Sequence, residues 1–140
     1  MITNISMPDS TIIPELAYPD VRKAVQWLTA AFGFKERLRI GDHRAQLSLG
    51  SGHVIVVQGY EPVNARHVTH GVMVRVPDVD GHYAESMRHG ACITRPPETF
   101  PYGERQYSVC DPGGHLWTFS QSVANVHPTA WGGTLNEPAP

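Results

Sequence analysis

The sequence predicts an α+β fold built from two β-α-β-β-β modules in one chain. Three observations predict it. Residues 21–32 and 80–88 carry apolar side chains at helical spacing, while the segments around them alternate with the period of a strand. Each helix opens in the same way, on Pro19-Asp20-Val21 in the first half and Pro77-Asp78-Val79 in the second. The patterned part closes in a hairpin, Tyr102 to Ser120, folded about Asp111-Pro112-Gly113-Gly114. Two copies of one unit are a duplication and not a solenoid, which needs several.

Residues 1–10 read as a loose leader. Thr11 to Tyr18 is a short strand, and Pro14 places it at a sheet edge or strand start because proline cannot donate to the ladder. Asp20 is the expected N-cap of the first helix. Ala24, Val25, Leu28, Ala31 and Phe32 then form one stripe, which Trp27 widens, and Gly33 stops the helix. Three strands follow, at 35–40, 44–49 and 54–58, separated by the turns Gly41-Asp42 and Gly50-Ser51-Gly52.

Residues 59–69 are a connector. Gly71 to Val76 is the next strand, and the second helix carries Tyr83, Ala84 and Met87 on its apolar side before His89-Gly90 ends it. Ala91 to Thr94 reads as a strand that Arg95-Pro96-Pro97 breaks. In the closing hairpin, Pro112 presets the turn and the glycines supply positive φ. Beyond the turn, Leu116, Thr118 and Ser120 share one face, and Trp117 and Phe119 the other. A single domain is thus expected over 11–122, as modules 11–58 and 70–122. Residues 123–140 form an irregular tail, where Trp131 is expected to dock on the body or on a second subunit.

The chain has 140 residues, 41% of them hydrophobic, which suits one compact unit with a single core. A formal charge of −2 without runs of one sign argues against a nucleic-acid partner. No stretch reaches the ~20 apolar residues of a membrane span. The N-terminus lacks a hydrophobic signal core, so a cytoplasmic location is expected. Cys92 and Cys110 are too few for a disulfide scaffold and read as buried apolar residues.

The doubled order, the start Tyr18-Pro19-Asp20-Val21 with Trp27-Leu28 and Ala31-Phe32-Gly33-Phe34, and the hairpin Tyr102-Gly103-Glu104-Arg105 to Asp111-Pro112-Gly113-Gly114-His115-Leu116-Trp117 resemble the vicinal oxygen chelate superfamily. That is the group of glyoxalase I, bleomycin-resistance proteins and extradiol dioxygenases. Within it the chain is most similar to the small glyoxalase/bleomycin-resistance-like members. The resemblance implies two modules whose curled mixed sheets surround a cavity, usually paired as a homodimer.

In metal-dependent members of that group, four strands supply the ligands: His or Gln, then Glu, His and Glu. The matching positions here are Ile13, Val56, Gly71 and Thr118. Those side chains cannot build a divalent-metal site, which takes imidazole, carboxylate or thiolate donors. His70 lies one residue out of register and points to the opposite side. No metal and no cofactor are therefore expected. His43, His53, His67, His82, His89, His115 and His127 are expected in solvated or turn-fixing roles, His115 through a ring N–H bond to backbone. No nucleophile elbow, P-loop or dinucleotide fingerprint occurs.

What remains is an apolar hollow with few polar groups, which suits a small organic ligand. Counting registers, Ile13, Val56, Gln58, Leu116 and Thr118 should line it, with Tyr102, Arg105 and Tyr107 near its mouth. Arg105 and Tyr107 have a second reading, one as the partner of a carboxylate and the other packed under a helix. Two functions are compatible with this set. One is metal-independent binding of a small hydrophobic or aromatic molecule, of the sequestration or resistance type. The other is an enzyme, a glyoxalase-like lyase or isomerase or a dioxygenase type, with a divergent site.

Overall fold

The computed structural model describes residues 2–59 and 70–136. Most of the expected connector, His67 and the last four residues of the tail lie outside the described residues. The order is β1 (Glu15–Tyr18), α1 (Val21–Phe32), β2 (Lys35–Ile40), β3 (Arg44–Leu49), β4 (Gly52–Gln58), β5 (Val72–Arg75), α2 (Val79–Arg88), β6 (Cys92–Thr99), β7 (Glu104–Cys110) and β8 (Leu116–Ser122). This is the β-α-β-β-β unit twice.

The two sheets repeat one topology. The first runs β1-β4-β3-β2 and the second β5-β8-β7-β6. In each, the strand before the helix lies parallel to the last strand, and the remaining pairs are antiparallel. A crossover helix permits the parallel pair, and short turns make the hairpins. Among the described residues no closed barrel joins the sheets.

The helices start and stop where local chemistry dictates. Asp20 accepts from the Lys23 amide and Asp78 from the Gly81 amide, so each caps its helix. Gly33 takes φ 79°, which glycine alone adopts freely, and its N–H reaches back to the Leu28 and Thr29 carbonyls. No described residue in 35–58 is helical.

β6 departs from the sequence reading. It does not break at Arg95-Pro96-Pro97 but continues through the prolines to Thr99. β6 is an edge strand, and its ladder with β7 is interrupted at the prolines. Arg95 pairs with Ser108 and Glu98 with Gln106, with register shifts on either side of Arg95, so Pro96 and Pro97 fall at an irregularity where no regular pair needs their N–H. The tail also differs in part. Pro128–Trp131 forms a 3-10 helix, and Trp131 sits edge-on against Tyr102 with ring centroids 5.6 Å apart. The leader makes contacts on the first sheet: Arg37 donates to the Ile5 carbonyl at 2.6 Å and Gln46 to the Ser6 carbonyl at 2.8 Å.

One core unites both modules. Leu16, Tyr18, Val25, Leu28, Phe32, Phe34, Leu47 and Val56 from the first pack with Val79, Tyr107, Val109, Trp117 and Phe119 from the second. Phe32, on the last turn of α1, lies edge-on to both Trp117 and Phe119. The helix-bearing faces of the two sheets therefore meet inside the molecule. The opposite faces carry Gln46 and Ile55 on one sheet and Gln106, Ser108 and Thr118 on the other, and all of these but Thr118 are buried as well. Among the described residues no helix is long and apolar enough to cross a membrane.

Candidate functional site

The hairpin turn is a fastening between the modules. Asp111 is buried and accepts four hydrogen bonds. One oxygen takes the Gly113 and His115 amides at 2.9 and 3.0 Å; the other takes the Trp117 indole N–H at 2.9 Å and the Tyr18 hydroxyl of β1. His115 adds a ring bond of 2.7 Å to the Ala17 carbonyl, so its N–H reaches backbone as expected, but across to the first module. Gly113 lies so close to the Tyr18 ring that a Cβ there would approach it to 2.5 Å. Burial first, then the Asp111 charge and hydrogen bond, push the Tyr18 phenol far above its ordinary value.

A cavity of about 830 Å³ lies between the modules. Phe32, Phe34 and Trp117 form part of its wall, with Val72, Val74 and Val76 from the β5 side and Ile12, Pro14, Leu49 and Val54 from the first module. His53, Arg75, Asp78 and His82 contribute its polar side chains, together with Ser51. Among the described residues β1 and β5 each pair on one edge only, and β5 borders the cavity.

His82 departs from the solvated role expected of it. It is half-buried on α2, its Nδ1 is 2.5 Å from the Tyr107 hydroxyl, and its ring lies 3.9 Å from that of Phe119. Burial holds its pKa below the usual value, opposed by the Phe32 backbone. The Tyr107 hydroxyl also bonds Ser86 at 3.1 Å. Burial pushes that phenol up to about 12, against the Ser86 bond.

None of the eight residues expected to line the hollow borders this cavity. Val56 is fully buried on the helix-bearing face with Val54 and Leu47. Gln58, two positions on, shares that face by strand alternation. Register by counting placed both on the opposite side. Tyr107 packs beneath α2, and Arg105 grips Asp80 at 3.0 Å near the start of α2. For both, this is the second of the two readings the sequence allowed. Leu116 and Thr118 do lie on the face away from the helices, and Trp117 and Phe119 are fully buried in the core. Thr118 bonds Ser108 at 3.0 Å, and Tyr102 bonds Gln106 at 3.2 Å on that same outer face. Ile13 precedes β1 and is half-buried. Sequence reasoning missed Phe32, Phe34, Val72, Val74 and His82 as wall residues. The aromatics flanking the stop glycine were visible as core, but a wall shared by two modules leaves no spacing signal.

The positions that hold metal in related folds do not fit one. Val56 faces the core, Thr118 offers a single hydroxyl already engaged with Ser108, and Ile13 and Gly71 offer no side-chain donor. Among the described residues, no three His, Cys, Asp or Glu side chains converge on one point.

A duplicated β-α-β-β-β chain with mixed four-stranded sheets and an apolar cavity defines a class of small proteins rather than one reaction. The family model described as Glyoxalase/Bleomycin resistance protein/Dioxygenase superfamily matches residues 11–119, and the chain belongs to that superfamily. Among solved structures, TioX from Micromonospora sp. ML1 is 40% identical, with 84% of this chain and 100% of that one covered and a TM-score of 0.67. The fosfomycin resistance protein FosX from Listeria monocytogenes shares the fold at 14% identity, with 82% and 94% covered and a TM-score of 0.68. A glyoxalase-related enzyme from Fulvimarina pelagi does so at 17% identity, with 81% and 88% covered and a TM-score of 0.66. No curated protein matches the chain.

Proposed function

We propose that the protein binds a small hydrophobic or aromatic molecule without a metal, in the manner of a sequestering or resistance protein. The observation that carries this reading is the 830 Å³ cavity, walled by Phe32, Phe34, Trp117 and aliphatic side chains with sparse polar groups. Its size and lining are those of sites for small organic ligands, which span about 300–1,000 Å³. The donor set at the inherited metal positions supports a role that needs no Lewis acid.

The working unit is a cytoplasmic homodimer. The edges of β1 and β5 left unpaired among the described residues and the sheet faces away from the helices support pairing, and an isologous dimer is the commonest closed assembly. In it, the second copy packs on the sheet faces away from the helices, where Tyr102, Leu116 and Thr118 lie outside the cavity.

The test is a thermal-shift screen of chelator-treated protein against aromatic natural products, with 1-anilinonaphthalene-8-sulfonate as fluorescent probe. A ligand that binds only the folded chain raises the melting temperature. Val74→Trp, which projects bulk into the cavity, should abolish both the shift and the probe signal. Binding undiminished by Val74→Trp would overturn the cavity. A 15.4 kDa species in sedimentation at micromolar concentration would overturn the dimer. Hemithioacetal turnover abolished by chelation would replace sequestration with the glyoxalase-like reading.

A further inference from the structure

Cys92 and Cys110 are direct partners in the register of β6 and β7. Directly opposed residues share a face of the sheet and hold their Cβ atoms about 4.5–5.5 Å apart. A disulfide needs roughly 3.5–4.5 Å between Cβ atoms, so a small adjustment of an edge strand brings the sulfurs into bonding range. β6 can make that adjustment, because its register already shifts just after Ile93. The two thiols differ in access: Cys92 is exposed and Cys110 is buried. The sequence reading of Cys92 as a buried apolar residue is corrected here. Burial, and then the neighbouring Cys92 and Asp111, push the Cys110 thiol up, so Cys110 does not supply the first thiolate.

We propose that Cys92 and Cys110 form a redox-active pair that closes to a cross-strand disulfide when hydrogen peroxide reaches Cys92. The Cys92 thiolate attacks a peroxide oxygen, and the O–O bond breaks. The products are a sulfenic acid and hydroxide, which takes up the thiol proton to become water. The Cys110 sulfur then attacks the Cys92 sulfur. An S–S bond forms, the S–O bond breaks, and hydroxide leaves with the Cys110 proton as a second water. Two thiols lose two electrons, and one peroxide accepts them.

The placement gives the bond a mechanical consequence. Cys110 ends β7, pairs with Leu116 and precedes Asp111, the carboxylate that holds Tyr18. Cys92 begins β6, just after α2. Oxidation therefore ties the strand leaving α2 to the hairpin that clasps the first module, and it narrows the unfolded ensemble by closing the loop from 92 to 110.

The test uses the full chain, treated with a small excess of hydrogen peroxide and quenched with catalase. Intact mass should fall by two hydrogen atoms with the chain uncrosslinked to a second copy. Unreduced peptide maps should join the segments around 92 and 110. The melting temperature should rise by roughly 5 °C or more and return with dithiothreitol. In Cys110→Ser, dimedone should trap a sulfenic acid on Cys92; in Cys92→Ser, whose altered side chain is exposed, Cys110 should remain unlabelled at the same dose. Added oxygen on Cys92 of the unmutated chain without the link, links only between molecules, preferential labelling of Cys110, or resistance to doses that oxidise free cysteine would each overturn the proposal.

Discussion

Replacing Asp111 by asparagine exchanges one carboxylate oxygen for an amide nitrogen and leaves shape nearly untouched. The oxygen that takes the Gly113 and His115 amides can persist. The other side must then face two donors, the Tyr18 hydroxyl and the Trp117 indole N–H. The hydroxyl can turn and accept from the new amide. The indole cannot, because it is a donor only, and Trp117 is 0% exposed, so water does not replace the lost acceptor. A hydrogen bond to a charged group is worth about 1.5–3 kcal/mol, and an orphaned buried donor costs about 1–3 kcal/mol. Asp111→Asn should therefore lose roughly 2–4 kcal/mol, and Asp111→Ala, which strands three N–H donors, more than that. Tyr18→Phe removes one donor and leaves Asp111 three, for a loss of about 1–3 kcal/mol. Because the two residues touch, their effects should not add, and the double-mutant coupling should be about 1 kcal/mol or more. Urea unfolding at pH 7, followed by tryptophan fluorescence, measures all four corners of the cycle. Asp111→Asn within about 0.5 kcal/mol of the unmutated chain, with no coupling to Tyr18, would refute the clasp.

Alkali should destabilise the fold through the two buried phenols. Tyr18 and Tyr107 have folded pKa values raised above the ordinary 10.0, so their contribution is fully present below pH 10 and is lost as pH rises through the folded values. Melting temperature should fall as pH climbs from 10 towards 12, and less steeply in Tyr107→Phe; equal slopes would contradict it. Trp117→Ala should cost about 3–5 kcal/mol by emptying an aromatic core position. Thr118→Trp, one residue along but on the face away from the helices and outside the cavity, should leave both folding and binding of the aromatic ligand largely intact; denaturation and calorimetry check the two. If Trp117→Ala is stable and Thr118→Trp abolishes binding, the face assignment of β8 is inverted. Asp20→Ala should cost about 0.5–2 kcal/mol by freeing the Lys23 amide, read as a lowered urea midpoint.

Much of this protein is written locally. The helix starts at Asp20 and Asp78, the stop at Gly33 and the alternation of Leu116 to Ser120 were all legible, because capping, backbone freedom and side-chain periodicity act within a few residues. The duplication was legible for the same reason. Locality also explains the failures. Pro96 and Pro97 read as a break, yet whether a proline interrupts a strand depends on which edge is paired, a property of the sheet. Val56 and Gln58 were assigned to the wrong face because position counting across three strands tolerates no slip, and the strict period of two converts one residue of error into the opposite side.

The site itself belonged to the tertiary structure. Asp111 was visible as a turn residue, but nothing in Asp-Pro-Gly-Gly says that its carboxylate binds a tyrosine from β1, far back in the chain. The cavity wall joins Pro14, Leu49 and Phe34 to Val74 and Trp117, residues that meet only because the helix-bearing faces of two separately encoded modules pack on each other. The pairing of Cys92 with Cys110 likewise follows from strand register. Sequence alone determined which segments fold and what each buries, since those are short-range choices of dihedral and hydrophobic face. Which face meets which partner was decided by long-range packing, where contacts between distant residues are made once and leave no period to read.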